Sequence, residues 1–290
     1  MERIATVQRT KAILNAYGLQ LKKSLGQHFM SDPRILQKML EAVPFQPGDG
    51  ALEIGPGIGA LTQYLSDRAE QVVAVEIDQR LIPVLRDLFK DVQNVSVINE
   101  DFLATDLTQL KENHFSSVGR IHVVANLPYY ITTPILMKIL ESDFPWQTIT
   151  IMIQKEVADR LAATPGGKEY GSLTVSAQFY AEIEPVCYVP GSAFVPPPNV
   201  ESAVIRLTKR EHPPVPVEDP RKFFLLVRTA FAHRRKTLLN NIQVAKQQLG
   251  LGTLDRDAIV QWIESCGVNP SARAETLAFE LFAKMASKLS

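Results

Sequence analysis

The sequence predicts an α/β domain with a doubly wound, mostly parallel sheet, followed by a small all-helical C-terminal domain. Three observations carry that expectation. From Ala51 onward, apolar runs of strand length alternate with segments of helical periodicity, the pattern of parallel strands joined by crossover helices. A glycine-rich turn, Glu53-Ile54-Gly55-Pro56-Gly57-Ile58-Gly59-Ala60, lies between the first strand and the first helix of that series. After Arg221 only helical periodicity remains. Residues 1–209 are therefore assigned to an N-terminal arm plus the sheet domain, and 210–290 to the helical domain, with the Pro-rich stretch from Glu211 to Pro220 as linker.

Residues 1–20 read as a mixed arm with one short helix. Asp32 before Pro33 is a good N-cap and N1 pair, and Ile35, Leu36, Met39, Leu40 and Val43 make a helical stripe that Pro44 ends. Strands are expected at Ala51–Ile54, Val72–Ile77, Val95–Asn99, Ile121–Ala125 and Thr148–Ile153, and helices at Ala60–Ser66, Arg80–Phe89 and from Thr133 through Leu140. Thr174 to Glu182, Val186 to Val189 and Ser202 to Thr208 read as closing strands.

Composition excludes several classes. The chain has 31 Lys and Arg against 31 Asp and Glu, so it is not coated in positive charge for non-specific nucleic-acid binding, and any basic surface must be local. Its two cysteines, Cys187 and Cys266, are far apart and outside any Cys/His cluster, which indicates neither a disulfide framework nor a metal site. No apolar run approaches the roughly 20 residues of a membrane span, and the amino terminus lacks a signal-peptide core. A soluble, cytoplasmic monomer is expected.

Glycines at a strand-to-helix turn let the backbone approach a ligand closely while the helix N-terminus points at it. Glu76, about twenty residues on and at the end of the next strand, is placed to accept both hydroxyls of a ribose. Gly55, Gly57 and Glu76 thus indicate an adenosine-containing cofactor. Alone they do not separate a nicotinamide dinucleotide from S-adenosylmethionine, because Gly55-x-Gly57-x-x-Ala60 also satisfies the dinucleotide pattern. Two features favour S-adenosylmethionine. A carboxylate at Glu53 suits an amino-acid-bearing sulfonium better than a pyrophosphate, and Asp101, at the third successive strand end, is placed to accept from an adenine amine with Ile77 or Phe102 against the ring. Turn capping is the competing reading of Asp101.

Asn126-Leu127-Pro128-Tyr129-Tyr130 follows the apolar run Ile121 to Ala125, which delivers an amide, a rigid turn and two aromatic rings to one strand end. An exocyclic adenine amine is a poor nucleophile because its lone pair is delocalised into the ring. Acceptors at its hydrogens, the Asn126 side-chain oxygen and a backbone carbonyl at Leu127 or Pro128, favour pyramidalisation and aim the lone pair at a methyl donor, through positioning and electrostatics rather than a strong base. Pro128 fixes the turn, and Tyr129 offers a stacking face. The run Phe194-Val195-Pro196-Pro197-Pro198-Asn199-Val200-Glu201-Ser202 supplies a second aromatic, Phe194, for the other face of the base. A dehydrogenase reading leaves both of these motifs without a task.

Glu53-x-Gly-x-Gly-x-Gly, Asn126-Leu-Pro-Tyr, the Phe194 to Ser202 run and Phe231-x-x-Arg-Arg-Lys, in that order and spacing, resemble the ribosomal RNA adenine N6-dimethyltransferases, most nearly the members acting on small-subunit 16S rRNA rather than on the large subunit. The resemblance runs from Lys22 to the last helix. It implies a Rossmann-like class I methyltransferase domain and dimethylation of two adjacent adenosines near the 3′ end of 16S rRNA, late in assembly of the 30S subunit. Carried over residue by residue, it puts cofactor contacts on His28, Met30, Gly55, Glu76, Asp101 and Asn126. The family usually has Asn where this chain has His28, and capping of the following helix is an alternative task for that side chain.

Helical apolar positions at Phe224, Val227, Phe231 and Leu238 predict helix from Arg221 to Ile242, on which Arg228 and Arg235, seven residues apart, share a face with His233, Arg234 and Lys236 nearby. Most basic helix faces are simply solvated. Beside a base-binding jaw they are expected to hold RNA phosphates, with Lys22 and Lys23 as the opposite bank. Phosphate contacts position rather than specify, so the choice of RNA is expected to come from shape and from an extruded base.

Overall fold

The computed structural model describes residues 2–20, 22 and 25–289. The chain divides into two units, Met1–Ala158 with Glu182–Lys209 and Asp159–Ala181 with Arg210–Ser290. The first unit begins with α1 (Val7–Ala16), the two-residue strand β1 (Phe29–Met30) and α2 (Pro33–Glu41), whose N-cap is Asp32, accepting from the Arg34 amide. Strict alternation follows: β2 (Gly50–Ile54), α3 (Ala60–Ser66), β3 (Gln71–Glu76), α4 (Ile82–Leu88), β4 (Val95–Asn99), α5 (Leu107–His114), β5 (Ile121–Asn126), α6 (Thr132–Leu140) and β6 (Trp146–Gln154). Along β2, β3 and β5 nearly every residue is buried, as in strands covered on both faces, which is why they read as continuous apolar runs.

The sheet has seven strands in the order β4-β3-β2-β5-β6 followed by β9 (Ser202–Lys209) and β7 (Ala181–Val189). The first five are parallel, and β9 runs antiparallel to β6. Phe29 and Met30 of β1 pair with Val195 and Phe194 of β8 (Phe194–Val195) in a separate two-stranded ribbon. At the amino ends of the central strands His122 is fully buried between Thr148 Oγ1 at 2.8 Å and Asp49 Oδ2 at 3.1 Å, and Arg120 pairs with Asp49 at 2.8 Å. Burial holds the His122 pKa below its ordinary value. This network ties three strands together at the end opposite their carboxyl termini.

Four expectations fail here. Residues 174–182 are not a strand: α8 (Ser172–Tyr180) occupies most of them, following α7 (Lys155–Leu161), with the Gly171 amide donating to Thr174 Oγ1 at 3.0 Å. Its Thr174, Val175, Ser176, Ala177 and Phe179 are all buried, so no polar face betrays a helical period, and β-branched and aromatic residues suggest a strand. Residues 159–181, expected in the sheet domain, therefore belong to the second unit. Phe179 packs against Phe223 and Phe224, with ring centroids 5.3 and 4.9 Å away, in the core built by α9 (Pro220–Ala230), α10 (Leu238–Val244), α11 (Arg256–Ser265) and α12 (Phe279–Ser287). The expected helix across 221–242 is in fact two, α9 and α10, broken by an exposed turn. Arg228 lies on α9 and Arg235 in the turn, so the two do not share a helix face. Among the described residues no helix is long and apolar enough to cross a membrane.

Candidate active site

Strand order reverses between β2 and β5, and ligands of open α/β sheets bind outside the carboxyl ends of the strands at such a point. A cavity opens there. Its lining includes all the residues expected to serve cofactor or catalysis: His28, Met30, Gly55, Gly57, Glu76, Ile77, Asp101, Phe102, Asn126, Leu127, Pro128, Tyr129 and Phe194.

The glycine loop is left-handed at Gly55 and Gly57, with φ of +70° and +61°. A Cβ on Gly57 would stand 2.9 Å from the Phe29 ring, whereas one on Gly55 would meet nothing within 4 Å, so the loop presses on β1 at one glycine and leaves room at the other. Glu76 Oε2 accepts from the Gly57 amide at 3.0 Å and Oε1 from the Asp78 amide at 2.8 Å, which fixes the carboxyl group at the end of β3; burial raises its pKa. Glu53 is 1% exposed, and burial pushes its carboxyl up to about 8, against a smaller opposing contribution from Thr62 and with added repulsion from Glu76. Asp101 does cap its turn, accepting from the Leu103 amide at 2.9 Å through Oδ1. Phe102 is buried, Ile77 is half exposed, and the Lys138 ammonium pins the 102–105 loop by donating to the Leu103 and Thr105 carbonyls at 2.8 and 2.6 Å.

Asn126 ends β5 and donates from Nδ2 to the His28 carbonyl at 3.2 Å, which orients the amide and leaves Oδ1 and one N–H without a partner among the described residues. The Pro128 carbonyl is already taken by the Ile131 amide at 3.2 Å and Thr132 Oγ1 at 3.1 Å, whereas the Leu127 carbonyl has no hydrogen bond among the described residues. Of the two carbonyls named in the sequence, Leu127's is therefore the one without a partner among the described residues. The Tyr129 hydroxyl bonds Ser202 Oγ at 2.7 Å, and its ring lies 6.2 Å from that of His28 at an interplanar angle of 23°. His28 does not cap α2. Its Nδ1 donates to the Pro196 carbonyl at 2.8 Å, joining the segment before β1 to the Pro-rich run. Phe194 is 3% exposed, packed within the core at the cavity wall.

Sequence reasoning gave no task to Asp78, Gln27, Ser202 or Lys138. Asp78 accepts from the Arg80 guanidinium at 2.9 and 2.6 Å, from the Arg80 amide at 3.2 Å and from Gln27 at 2.9 Å; chiefly the Arg80 guanidinium holds its carboxyl down to about 2. Its only sequence signal was a second carboxylate two residues beyond Glu76. Lys22 is half exposed and faces Asp78 at 3.9 Å, and Lys23 lies outside the described residues. In the second unit Arg234 donates to the Lys168 carbonyl, and His233, Arg234, Arg235 and Lys236 are all exposed.

Four carboxyl groups, Glu53, Glu76, Glu100 and Asp101, line the cavity, and no Lys or Arg does among the described residues. A pyrophosphate would find no cation there. A sulfonium cofactor fits this donor set.

Comparison with known proteins decides the family. The model of the ribosomal RNA adenine dimethylases matches residues 18–290. The chain belongs to that family. It is 51% identical over 286 residues to the ribosomal RNA small subunit methyltransferase A of Geobacillus thermodenitrificans, spanning 99% of this chain and 97% of that one. The protein of the same name from Shouchella clausii is 52% identical, again over 99% of this chain and covering 95% of the relative. Among solved structures, a dimethyladenosine transferase from Plasmodium falciparum superposes with a TM-score of 0.73 at 26% identity over 89% of this chain and 96% of that one. The 23S rRNA methyltransferase ErmE gives a TM-score of 0.66 at 27% identity over 90% and 99%. The chain is thus an S-adenosylmethionine-dependent rRNA adenine dimethyltransferase with a Rossmann-like methyltransferase domain.

Proposed function

We propose that the protein dimethylates N6 of two adjacent adenosines near the 3′ end of 16S rRNA, within the 30S subunit or its precursor, acting as a cytoplasmic monomer late in subunit assembly. The observation that carries the chemistry is the pair of acceptors at the end of β5. Asn126 donates one amide N–H to the His28 carbonyl, and neither its Oδ1 nor the Leu127 carbonyl has a hydrogen bond among the described residues, so two unclaimed oxygens belong to residues that line the cavity. The preference for the small subunit rests on the relatives so named, 51% and 52% identical, against 27% for the 23S enzyme.

S-adenosylmethionine supplies an electrophilic methyl group when bound. Glu76 and Asp101 are assigned to its ribose and adenine, with Ile77 and Phe102 along the ring and His28, Met30, Gly55 and Gly57 completing the contact. Asn126 Oδ1 and the Leu127 carbonyl accept from the target amine and orient its lone pair. Tyr129, anchored by Ser202, stacks on the target base, and Phe194 closes the opposite side. The excess proton leaves to water, and no general base is required. After the first methyl one N–H remains, so the second transfer proceeds with one acceptor contact fewer. Arg228, Arg234, Arg235, Lys236, Lys22 and Lys23 are assigned to phosphates, with Lys22 weakened for that task by its pairing with Asp78.

The test is transfer of label from methyl-labelled S-adenosylmethionine to immature small subunits lacking the modification. Label is expected in N6,N6-dimethyladenosine of 16S rRNA. Label only in other nucleosides, or only in large-subunit RNA, would remove the assignment.

A further inference from the structure

Glu53, the penultimate residue of β2 and two residues before Gly55, is 1% exposed, and its Oε2 has no hydrogen-bond partner among the described residues. The titratable groups sharing the cavity from the neighbouring elements are Glu76 at the end of β3, Glu100 and Asp101 after β4, Tyr129 and Tyr130 after β5, and His28 before β1. The nearby cations Arg80 and Lys22 are drawn to Asp78. A carboxylate that is buried, incompletely hydrogen-bonded and repelled by a second buried carboxyl, here Glu76, is strongly disfavoured as an anion. Burial pushes its pKa up to about 8, which agrees with the geometry.

We propose that Glu53 is protonated while the cavity is empty and gives that proton to solvent when the cationic cofactor enters, so that binding of S-adenosylmethionine releases a proton and the site selects for positive charge. This rests on the cofactor assignment above. The O–H bond of Glu53 breaks, the electron pair stays on the carboxylate, and the proton passes to buffer. The arriving ammonium and sulfonium offset the cost of the buried anion, whereas a neutral nucleoside offers nothing in exchange. Linkage fixes the sign: affinity tightens as pH rises toward about 8, by up to roughly tenfold per unit, and falls again above it as the cofactor's own α-amino group, with a pKa of about 8, loses its proton. The same linkage makes the wild-type cavity weakest for the cofactor on the acid side of neutrality.

The full chain is titrated calorimetrically at pH 7 with S-adenosylmethionine in two buffers of different ionisation enthalpy, and then with 5′-methylthioadenosine, which carries neither cationic group. About half to one proton is expected to leave per S-adenosylmethionine bound, and none with 5′-methylthioadenosine. In Glu53→Gln the release should vanish and the affinity should no longer rise between about pH 6 and 7, where the cofactor's α-amino group stays protonated. Zero release from the wild type, or equal release with both ligands, overturns the proposal without need of the variant. Undiminished release from a folded Glu53→Gln also overturns it. If S-adenosylmethionine failed to bind in either buffer, the cofactor assignment itself would fall and the proposal with it.

Discussion

In and beside the cavity of the first unit the charged groups are buried or anchored. Two backbone amides hold Glu76, Arg80 and Gln27 hold Asp78, and the Asn126 amide is tied to a carbonyl. In the second unit, the turn between α9 and α10 shows the opposite arrangement: Arg235 and Lys236 stand in solvent, and Arg234 is tied to one carbonyl. Groups fixed in a buried cavity act by orientation and are little screened by salt, whereas exposed cations act by number and are screened within about 10 Å at 0.1 M salt. Chemistry and RNA affinity are therefore expected to separate by mutation.

The strongest separation should come from Asn126→Ala. Removing an oriented acceptor at the reacting amine is expected to lower methyl transfer about a hundredfold or more, while affinity for the small subunit stays within twofold. A comparable loss of subunit affinity would show that this strand end binds RNA rather than activating an amine. The reciprocal change, Arg234, Arg235 and Lys236 together to Ala, should leave cofactor binding intact. It should also reduce the salt dependence of subunit binding by about one unit of slope for each phosphate that is no longer neutralised. An unchanged slope would remove the turn from the RNA interface.

The two regions also differed in how well the sequence revealed them. The cavity was legible because strand ends impose order. Glu53, Glu76 and Asn126 each fall at or within the last two residues of a parallel strand, and parallel register brings those ends to one edge. The anchors were not legible, because Gln27 reaches Asp78 across 51 residues and Tyr129 reaches Ser202 across 73, pairings that no local pattern encodes. In the second unit, periodicity misled twice. Apolar positions at Phe231 and Leu238 continued a helical count through a turn that buried Asn241 stabilises, its Nδ2 donating to the Ala230 carbonyl at 2.7 Å and the His233 carbonyl at 3.3 Å. In α8, burial on every side erased the pattern that would have marked it as helix.

Asp78 tests whether the cavity depends on its long-range anchors. Asp78→Asn removes the charge that holds Arg80 and is expected to cost about 2 kcal/mol in urea unfolding at pH 7, since the Asp is buried while Arg80 is partly solvated. The folded pKa, about 2, lies below the unfolded value near 3.9. The stabilisation is therefore complete above about pH 4 and lost as pH falls through the interval down to about 2. Wild type and variant should converge in stability as pH drops from 4 toward about 2. A constant difference would mean that the Asn disturbs packing rather than charge.

The smallest effect should come from Ser202→Ala, which leaves the Tyr129 hydroxyl without its hydrogen bond in a half-buried position. The loss is about 1 kcal/mol of stability, and the ring is released from only one of its constraints, because His28 still lies alongside it. Transfer should fall a few-fold, through a higher KM for the small subunit, with cofactor affinity unchanged. Tyr129→Phe, which abolishes the same hydrogen bond from the other side, should reproduce the loss, and the double variant should be no worse than either alone. Additive losses would mean that Ser202 serves the site by some route other than Tyr129, and the stacking face would then owe its position to the core rather than to this bond.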